Sequence, residues 1–277
     1  MFDIAIIGAG PAGYSAAINA RKRDKSALVI GQSGGWLARA ERIDNYPGLP
    51  GVSGAQLLDA MRAQAEAMGA TTRPGIVHQV MDMGGTFALS LGGDFVEARR
   101  VILCTGAKQP RLLPSEERLL GRGVSYCGTC DAMLYRGKHV AVIAQGPEAV
   151  SEANFLASVC ESVTFFGAPD AALDAKIAVS DKKPEEIVGD TRVTALRASG
   201  EALPFDGVFI FREAMALSAL LPGLAMDGAF IRVDRAMRTS VPGVFAAGDC
   251  TGLPLQVAKA VGEGCIAALS AAQELKN

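Results

Sequence analysis

Apolar and polar positions alternate along this chain with two periods. Phe2-Asp-Ile-Ala-Ile-Ile7, Ser26–Ile30, Val101–Cys104, Lys138–Ile143 and Ser162–Phe166 are short, β-branched or apolar runs, and their length predicts buried parallel strands. Tyr14–Arg21 and Ala149–Ser158 read as helices that follow two of these strands after a brief glycine-containing turn. Ser53-Gly-Ala-Gln56 reads as a capping box that opens a further helix, with Leu57, Leu58, Met61, Ala65 and Met68 on its apolar side and Gly69 as its stop. Val241–Asp249 is another buried strand, ending in the small-residue turn Ala246-Ala-Gly248. Two strand-turn-helix starts in one chain predict an α/β fold with two Rossmann-like, three-layer nucleotide-binding domains. The long separation of Val101–Gly106 from Val241–Asp249 implies that the second domain is inserted in the first. The expected boundaries are 1–111 with 241–277 for the first domain and 112–240 for the inserted one.

Composition narrows the picture in three ways. The 277 residues suffice for two domains, and 49% hydrophobic residues with 32 glycines suit an α/β protein rich in tight turns. A net charge of −2 argues against a general nucleic-acid binder. No apolar run approaches the roughly eighteen residues of a membrane span, and no export signal is visible ahead of the first strand. The expected setting is therefore cytoplasmic and reducing, where the six cysteines are thiols and any disulfide that forms is catalytic.

Two motifs carry chemistry. Gly8-Ala-Gly10-Pro-Ala-Gly13 lies between a strand and a helix, so Gly8 permits the tight turn and Gly10 lets backbone amides approach a pyrophosphate. Gly13 lets helix and strand pack closely. A second strand about twenty residues on completes the dinucleotide signature, although Gly31 stands where an acidic ribose ligand is usual. The other motif is Cys127-Gly-Thr-Cys130-Asp131. Two thiols at this spacing can close a small disulfide and exchange two electrons. Half of a zinc site or two core cysteines are the alternatives, but no second CxxC or paired histidine follows, only His78 and His139. Asp131 reads as a proton donor to the pair or as a helix N-cap. Cys104, Cys160, Cys250 and Cys265 read as buried packing residues.

Taken in order, Gly8–Gly13, Asn45-Tyr-Pro-Gly48, Thr105-Gly106, Cys127–Asp131 and Gly248-Asp249 resemble the low-molecular-weight thioredoxin reductases, from one end of the chain to the other. The resemblance implies an FAD-binding domain assembled from both chain ends, a central domain carrying the cysteines, and a homodimer. It implies FAD contacts from Gly8, Gly10, Pro11, Ala12, Gly13, Asn45, Thr105, Gly106, Gly248, Asp249, Gln256 and Val257. Cys127 and Cys130 become the redox pair, with Asp131 as proton donor and thioredoxin as electron acceptor. Trp36 falls in a loop that the family places close to the flavin, where it flanks the ring or simply packs.

The second nucleotide motif departs from the family. Ala144-Gln-Gly146-Pro-Glu148-Ala149 stands where NADPH-dependent members have GxGxxA, so Ala144 replaces the turn glycine and Glu148 brings a carboxylate to the helix start. Pro147 is expected at a first helical position. Gly167–Ala175 carries none of the arginines that hold a 2′-phosphate, and the central domain is short, with Lys182–Asp190 leading early into Thr191–Leu196. These features, with Gly248-Asp-Cys-Thr-Gly252 and Gly262-Glu-Gly264, resemble the NADPH-independent subgroup, in which reduced ferredoxin is the donor. Arg21-Lys-Arg23 with Lys25, and Arg39 with Arg42, are candidate docking patches for an acidic partner or plain solvated faces. Competing readings are an NADPH-dependent thioredoxin reductase with divergent contacts, a reductase of a peroxiredoxin or small disulfide, and a flavin-free redox sensor.

Overall fold

The computed structural model describes residues 1–32, 35–107, 112–146, 148–212 and 217–275, with only the backbone of Trp36 and Ser218. The chain forms two compact units, Met1–Gln109 with Leu220–Asn277, and Pro110–Ala219.

In the first unit, Thr71–Arg73, Ala27–Ile30, Phe2–Ile7, Phe95–Leu103 and Val244–Ala246 make a parallel sheet in that spatial order. The N-terminal end of Phe95–Leu103 pairs with the antiparallel strand Phe87–Ser90, which pairs in turn with Gln79–Asp82. Period-two alternation sends Ile4, Ile6, Val29, Ile102 and Phe245 to one face, where the helices Pro11–Arg21, Gly54–Ala67 and Val257–Glu274 cover them. Small residues let the first and last of these helices approach closely. A Cβ on Gly264 would stand 2.2 Å from the carbonyl oxygen of Ala12, so only glycine fits. The capping box at Ser53 forms in both directions, with Gln56 N donating to Ser53 Oγ and Ser53 N to Gln56 Oε1.

The second unit holds a five-stranded parallel sheet in the order Ala178–Ser180, Ser162–Phe166, His139–Gln145, Gly207–Arg212, Val124–Ser125. Helix Ala149–Ala157 packs on one face against Val140, Val142, Phe165, Phe209 and Phe211. The other face, with Ala141, Ile143, Phe166, Val208 and Ile210, is covered by the antiparallel strands Pro184–Val188, Ala195–Ala198 and Glu201–Pro204, which contribute Ile187, Leu196 and Ala198. Helix, sheet and sheet give the three layers of a Rossmann-like unit with one helical layer replaced by a small sheet.

Three features differ from the sequence reading. The inserted unit ends at Ala219, ahead of the expected 240, because the following segment folds back on the first unit. The hairpin Met226–Asp227 with Phe230–Ile231 buries Ile231, Ser240 Oγ donates to the Gly223 carbonyl at 2.9 Å, and Arg238 Nε reaches Glu274 at 3.0 Å. Next, Ala144 and Gln145 continue their strand, paired with Phe211 and Arg212, so Ala144 occupies no turn. Finally, Cys104 lies just past the end of its strand. Pro147 lies outside the described residues.

Candidate active site

The strand ends of the first unit gather most of the expected nucleotide ligands. Gly8 N donates to Ile30 O at 2.7 Å and Cys104 N to Ile7 O at 2.7 Å, which ties three strand ends together at one turn. Gly8 has φ +125°, and a Cβ there would stand 2.0 Å from the Cys104 carbonyl oxygen. A Cβ on Gly13 would stand 1.9 Å from the Gly8 oxygen, whereas one on Gly10 meets nothing within 4 Å. Gly8 and Gly13 are thus required by chain contacts, while Gly10 leaves open space at the N-terminus of helix Pro11–Arg21, where first-turn amides have no intrahelical acceptor. Gly31 is explained as well. A side chain there would strike the Ala9 amide nitrogen at 2.6 Å, so no acidic ribose ligand could occupy the position.

Thr105 and Gly106 follow the central strand, and Gly106 has φ +78°. Gly248 has φ +87°, and a Cβ on it would lie 2.8 Å from that of Ala12, which sets the Gly248-Asp249 turn against the first helix. Asn45 Nδ2 donates to Gln256 Oε1 at 2.8 Å, joining two expected ligands from distant parts of the chain, and Val257 begins the last helix. Burial raises the carboxyl of Asp249, with Lys259 opposing and Glu263 adding to the shift. Sequence reasoning quoted Glu263 only within Gly262-Glu-Gly264, without a role, and missed Lys259. Glu263 Oε2 accepts from Gly248 N at 2.8 Å and Thr251 Oγ1 at 2.8 Å, and Lys259 Nζ donates to Gly248 O at 2.9 Å. Their i, i+4 spacing on the last helix was the available signal.

Cys127, Cys130 and Asp131 belong to the other unit. Cys127 and Cys130 form a disulfide with Cα atoms 5.3 Å apart, Cys127 buried and Cys130 exposed. The short helix Gly128–Asp131 begins at Cys127, whose sulfur accepts the Cys130 amide at 3.2 Å. Asp131 precedes a second short turn, Ala132–Tyr135, without a side-chain cap bond. Its Oδ2 instead accepts the Ser125 hydroxyl at 2.7 Å, and Ser125 Oγ in turn accepts the Cys127 amide at 3.1 Å. A carboxylate therefore stands one hydroxyl away from the backbone of the disulfide turn.

Cys104, Cys160 and Cys250 are chemically quiet. Burial pushes the Cys104 thiol well up, with Cys250 and Glu263 adding to it, and burial raises both Cys160 and Cys250 to about 11. At pH 8 a thiol titrating near 11 is ionised in roughly one part per thousand, and the thiolate is the reactive form. After mild reduction at pH 8, iodoacetamide is expected to label Cys130 long before Cys104, Cys160 or Cys250, as read by peptide mass spectrometry. Equal rates at Cys130 and Cys250 would contradict the assignment. Among the described residues, no cluster of three His, Cys, Asp or Glu could hold a metal ion.

The family model for pyridine nucleotide-disulphide oxidoreductases matches residues 2–264. The chain belongs to this family. Within it, a thioredoxin reductase of Listeria monocytogenes is 34% identical, with 100% of this chain and 96% of the relative covered. A solved ferredoxin-flavin thioredoxin reductase from Clostridium acetobutylicum is 41% identical with a TM-score of 0.89, covering 99% of this chain and 98% of that one. A solved thioredoxin reductase from Gloeobacter violaceus is 31% identical with a TM-score of 0.79, covering 99% and 94%.

As a member of the pyridine nucleotide-disulphide oxidoreductases close to their thioredoxin reductases, the protein is an oxidoreductase acting on a disulfide. Thioredoxin reductases of this family are FAD-binding flavoproteins. The first unit fits that cofactor, because the open space over Gly10 suits a pyrophosphate and the crowded Gly8, Gly13 and Gly248 bring backbone close around it. Asn45 and Gln256 are bonded to each other, and Asp249 follows Gly248, whose turn lies against Ala12. FAD supplies two-electron redox chemistry at such a site. Trp36 opens the short turn Trp36–Arg39, and its side chain lies outside the described residues.

Proposed function

We propose that the protein reduces a thioredoxin through Cys127 and Cys130, taking its electrons from reduced ferredoxin by way of FAD. The FAD contacts would come from Gly8, Gly10, Pro11, Ala12, Gly13, Asn45, Thr105, Gly106, Gly248, Asp249, Gln256 and Val257, with Asp131 returning protons to the sulfurs. The protein would work as a cytoplasmic homodimer. No helix among the described residues is long and apolar enough to cross a membrane.

The observation that carries the choice of donor is the state of the second unit's strand ends. In open parallel sheets a nucleotide binds beyond the carboxyl ends of the strands, where the strand order reverses. In this unit that place is the junction of His139–Gln145 with Gly207–Arg212, and the chain's own side chains fill it. Arg212 Nε donates to Gln145 Oε1 at 2.8 Å, and its two other nitrogens clamp the buried carboxylate of Glu116. A Cβ on Gly146 would lie 2.8 Å from the Arg212 carbonyl carbon, so the turn is drawn tightly against the neighbouring strand. Glu148 occupies the N-cap of the following helix, where its charge opposes a pyrophosphate. The absence of any cation in Gly167–Ala175 supports the same reading, since a 2′-phosphate carries roughly two negative charges. The name of the solved Clostridium acetobutylicum relative supports a ferredoxin donor.

The energetics permit the route. Plant-type ferredoxins lie near about −400 mV and thioredoxin near about −270 mV, so a two-electron transfer is downhill by roughly 6 kcal/mol. Anaerobic titration of the flavin absorbance with NADPH, NADH and reduced ferredoxin in turn tests the assignment. Reduced ferredoxin is expected to bleach the flavin, and both nicotinamides to leave it oxidised. Rapid bleaching by micromolar NADPH would overturn the donor and favour an NADPH-dependent reductase.

A further inference from the structure

Glu152, on the helix Ala149–Ala157, reaches the redox turn from the side. Its Oε2 accepts the amide hydrogen of Thr129, between the two cysteines, at 3.2 Å. A Cβ on Gly128 would stand 2.3 Å from the same oxygen, so the carboxylate lies directly on the backbone of the turn. Thr129 faces both ways, because its hydroxyl is 3.4 Å from Cys127 Sγ. The next amide, that of Cys130, donates to Cys127 Sγ at 3.2 Å. Consecutive amides of one turn are thus divided between a carboxylate and a sulfur. We propose that Glu152 is a positioning residue that sets how readily the Cys127–Cys130 disulfide accepts electrons and how readily the reduced pair ionises.

Reduction breaks the S–S bond. Two electrons and one proton arriving at the disulfide leave one thiol and one thiolate, and a second proton completes the dithiol. Backbone amides and nearby cations are what lower a thiol's pKa in such a turn. Glu152 withdraws backbone amides of the turn from that role and adds a like charge beside the developing thiolate. Both effects disfavour the thiolate and hold the disulfide in its oxidised form. Burial raises the carboxyl of Glu152, while the amides of Thr129 and Gly128 pull it back down, in keeping with a carboxylate pressed onto the turn.

Glu148, at the N-cap of the same helix, is the charged residue one turn before Glu152, and among the described residues the neighbouring elements bring no cation into an ion pair with Glu152. Asp131, at the end of the turn, is held by Ser125. Tyr135 on the next turn is raised by burial, with Asp131, Asp206 and Cys160 adding to the shift. In the sheet beneath, Ser162–Phe166 has no titratable side chain, His139 begins its strand and bonds Ser162, and Arg212 is committed to Glu116. Among the described residues no lysine or arginine forms an ion pair with Glu152.

The inference rests on the proposed redox cycle of the pair. FAD-loaded wild type, Glu152→Gln and Glu152→Asp are equilibrated at pH 8 in glutathione buffers, and the dithiol fraction is read by alkylation and mass spectrometry. The pH dependence of the alkylation rate gives the thiol titration. Glutamine keeps the shape and an acceptor oxygen but removes the charge, so the equilibrium is expected to shift about tenfold toward the dithiol, which is ~30 mV for a two-electron couple. The thiol titration is expected to move to lower pH. Aspartate, one methylene shorter, keeps the charge but withdraws it from the amide and is expected to shift both readings less. A wild-type pair that cycles beside an unchanged Glu152→Gln equilibrium and thiol titration refutes the inference alone. A wild-type pair that cannot be reduced and reoxidised refutes the inference and the proposed function together.

Discussion

Serine at Cys127 or at Cys130 is expected to lower thioredoxin reduction by about three orders of magnitude or more while FAD stays bound. Disulfide exchange requires one thiolate to attack and a second to resolve the mixed disulfide, so either single thiol stalls halfway. The two changes are separable from cofactor loss, because the proposed FAD contacts at Gly8–Gly13, Asn45, Gly248, Asp249 and Gln256 all belong to the other unit. The variants should remain yellow, with an unchanged ratio of flavin to protein absorbance. Steady-state reduction of thioredoxin checks the activity, and normal turnover in either variant would remove Cys127–Cys130 from the mechanism. A stable mixed disulfide with thioredoxin, seen by mass spectrometry in one variant only, would also identify the attacking sulfur.

The second large effect is on stability. Glu116 and Arg212 form an ion pair inside the second unit, the carboxylate fully buried and the guanidinium nearly so. The carboxylate also accepts the Tyr126 hydroxyl at 2.8 Å and the Leu113 amide at 2.8 Å, and Arg212 Nη2 donates to it at 2.7 Å. Removing one partner leaves the other charged and unpaired in a dry interior, at a cost of about 3–5 kcal/mol. Glu116→Ala and Arg212→Ala are therefore each expected to unfold the second unit well before the first in a calorimetric scan. Replacing both by apolar residues should recover only part of the loss, because Tyr126 and the Leu113 amide keep no acceptor. A scan unchanged by Arg212→Ala would show that the pair contributes nothing. The same site has a pH signature. Burial, then the charge and hydrogen bond of Glu116, raises the Tyr126 hydroxyl above its ordinary value of 10.0. The folded state then holds that proton more tightly than the unfolded chain, so this contribution is complete below about pH 10 and declines above it.

That pair also shows where sequence reading stops. Glu116 stands just inside the start of the inserted unit and Arg212 near its end, and neither belongs to a recognisable motif. Glu152 is similar, being an ordinary polar residue on a helix until the redox turn is placed against it. Lys259 and Glu263 were nearer to legible through their helical spacing, but their target, the Gly248 turn, was not. The physical form of the second motif was not legible either, since Ala144 and Gln145 extend a strand and Arg212 Nε bonds Gln145 beside it.

By itself the sequence determined the strand-turn-helix starts, the glycine turn Gly8–Gly13, the inserted topology and the cysteine pair that closes a disulfide. Those are local properties. Side-chain period, the need for glycine at crowded or positive-φ positions such as Gly8, and a two-residue thiol spacing are each written within a few neighbouring residues. Only the tertiary structure decided the end of the inserted unit at Ala219, the partners of Asp131, and the pairings of Glu152 with Thr129 and of Glu116 with Arg212. Each depends on which distant surfaces the packed sheets bring within hydrogen-bond range. A buried charge declares its partner only after folding has removed water as the alternative.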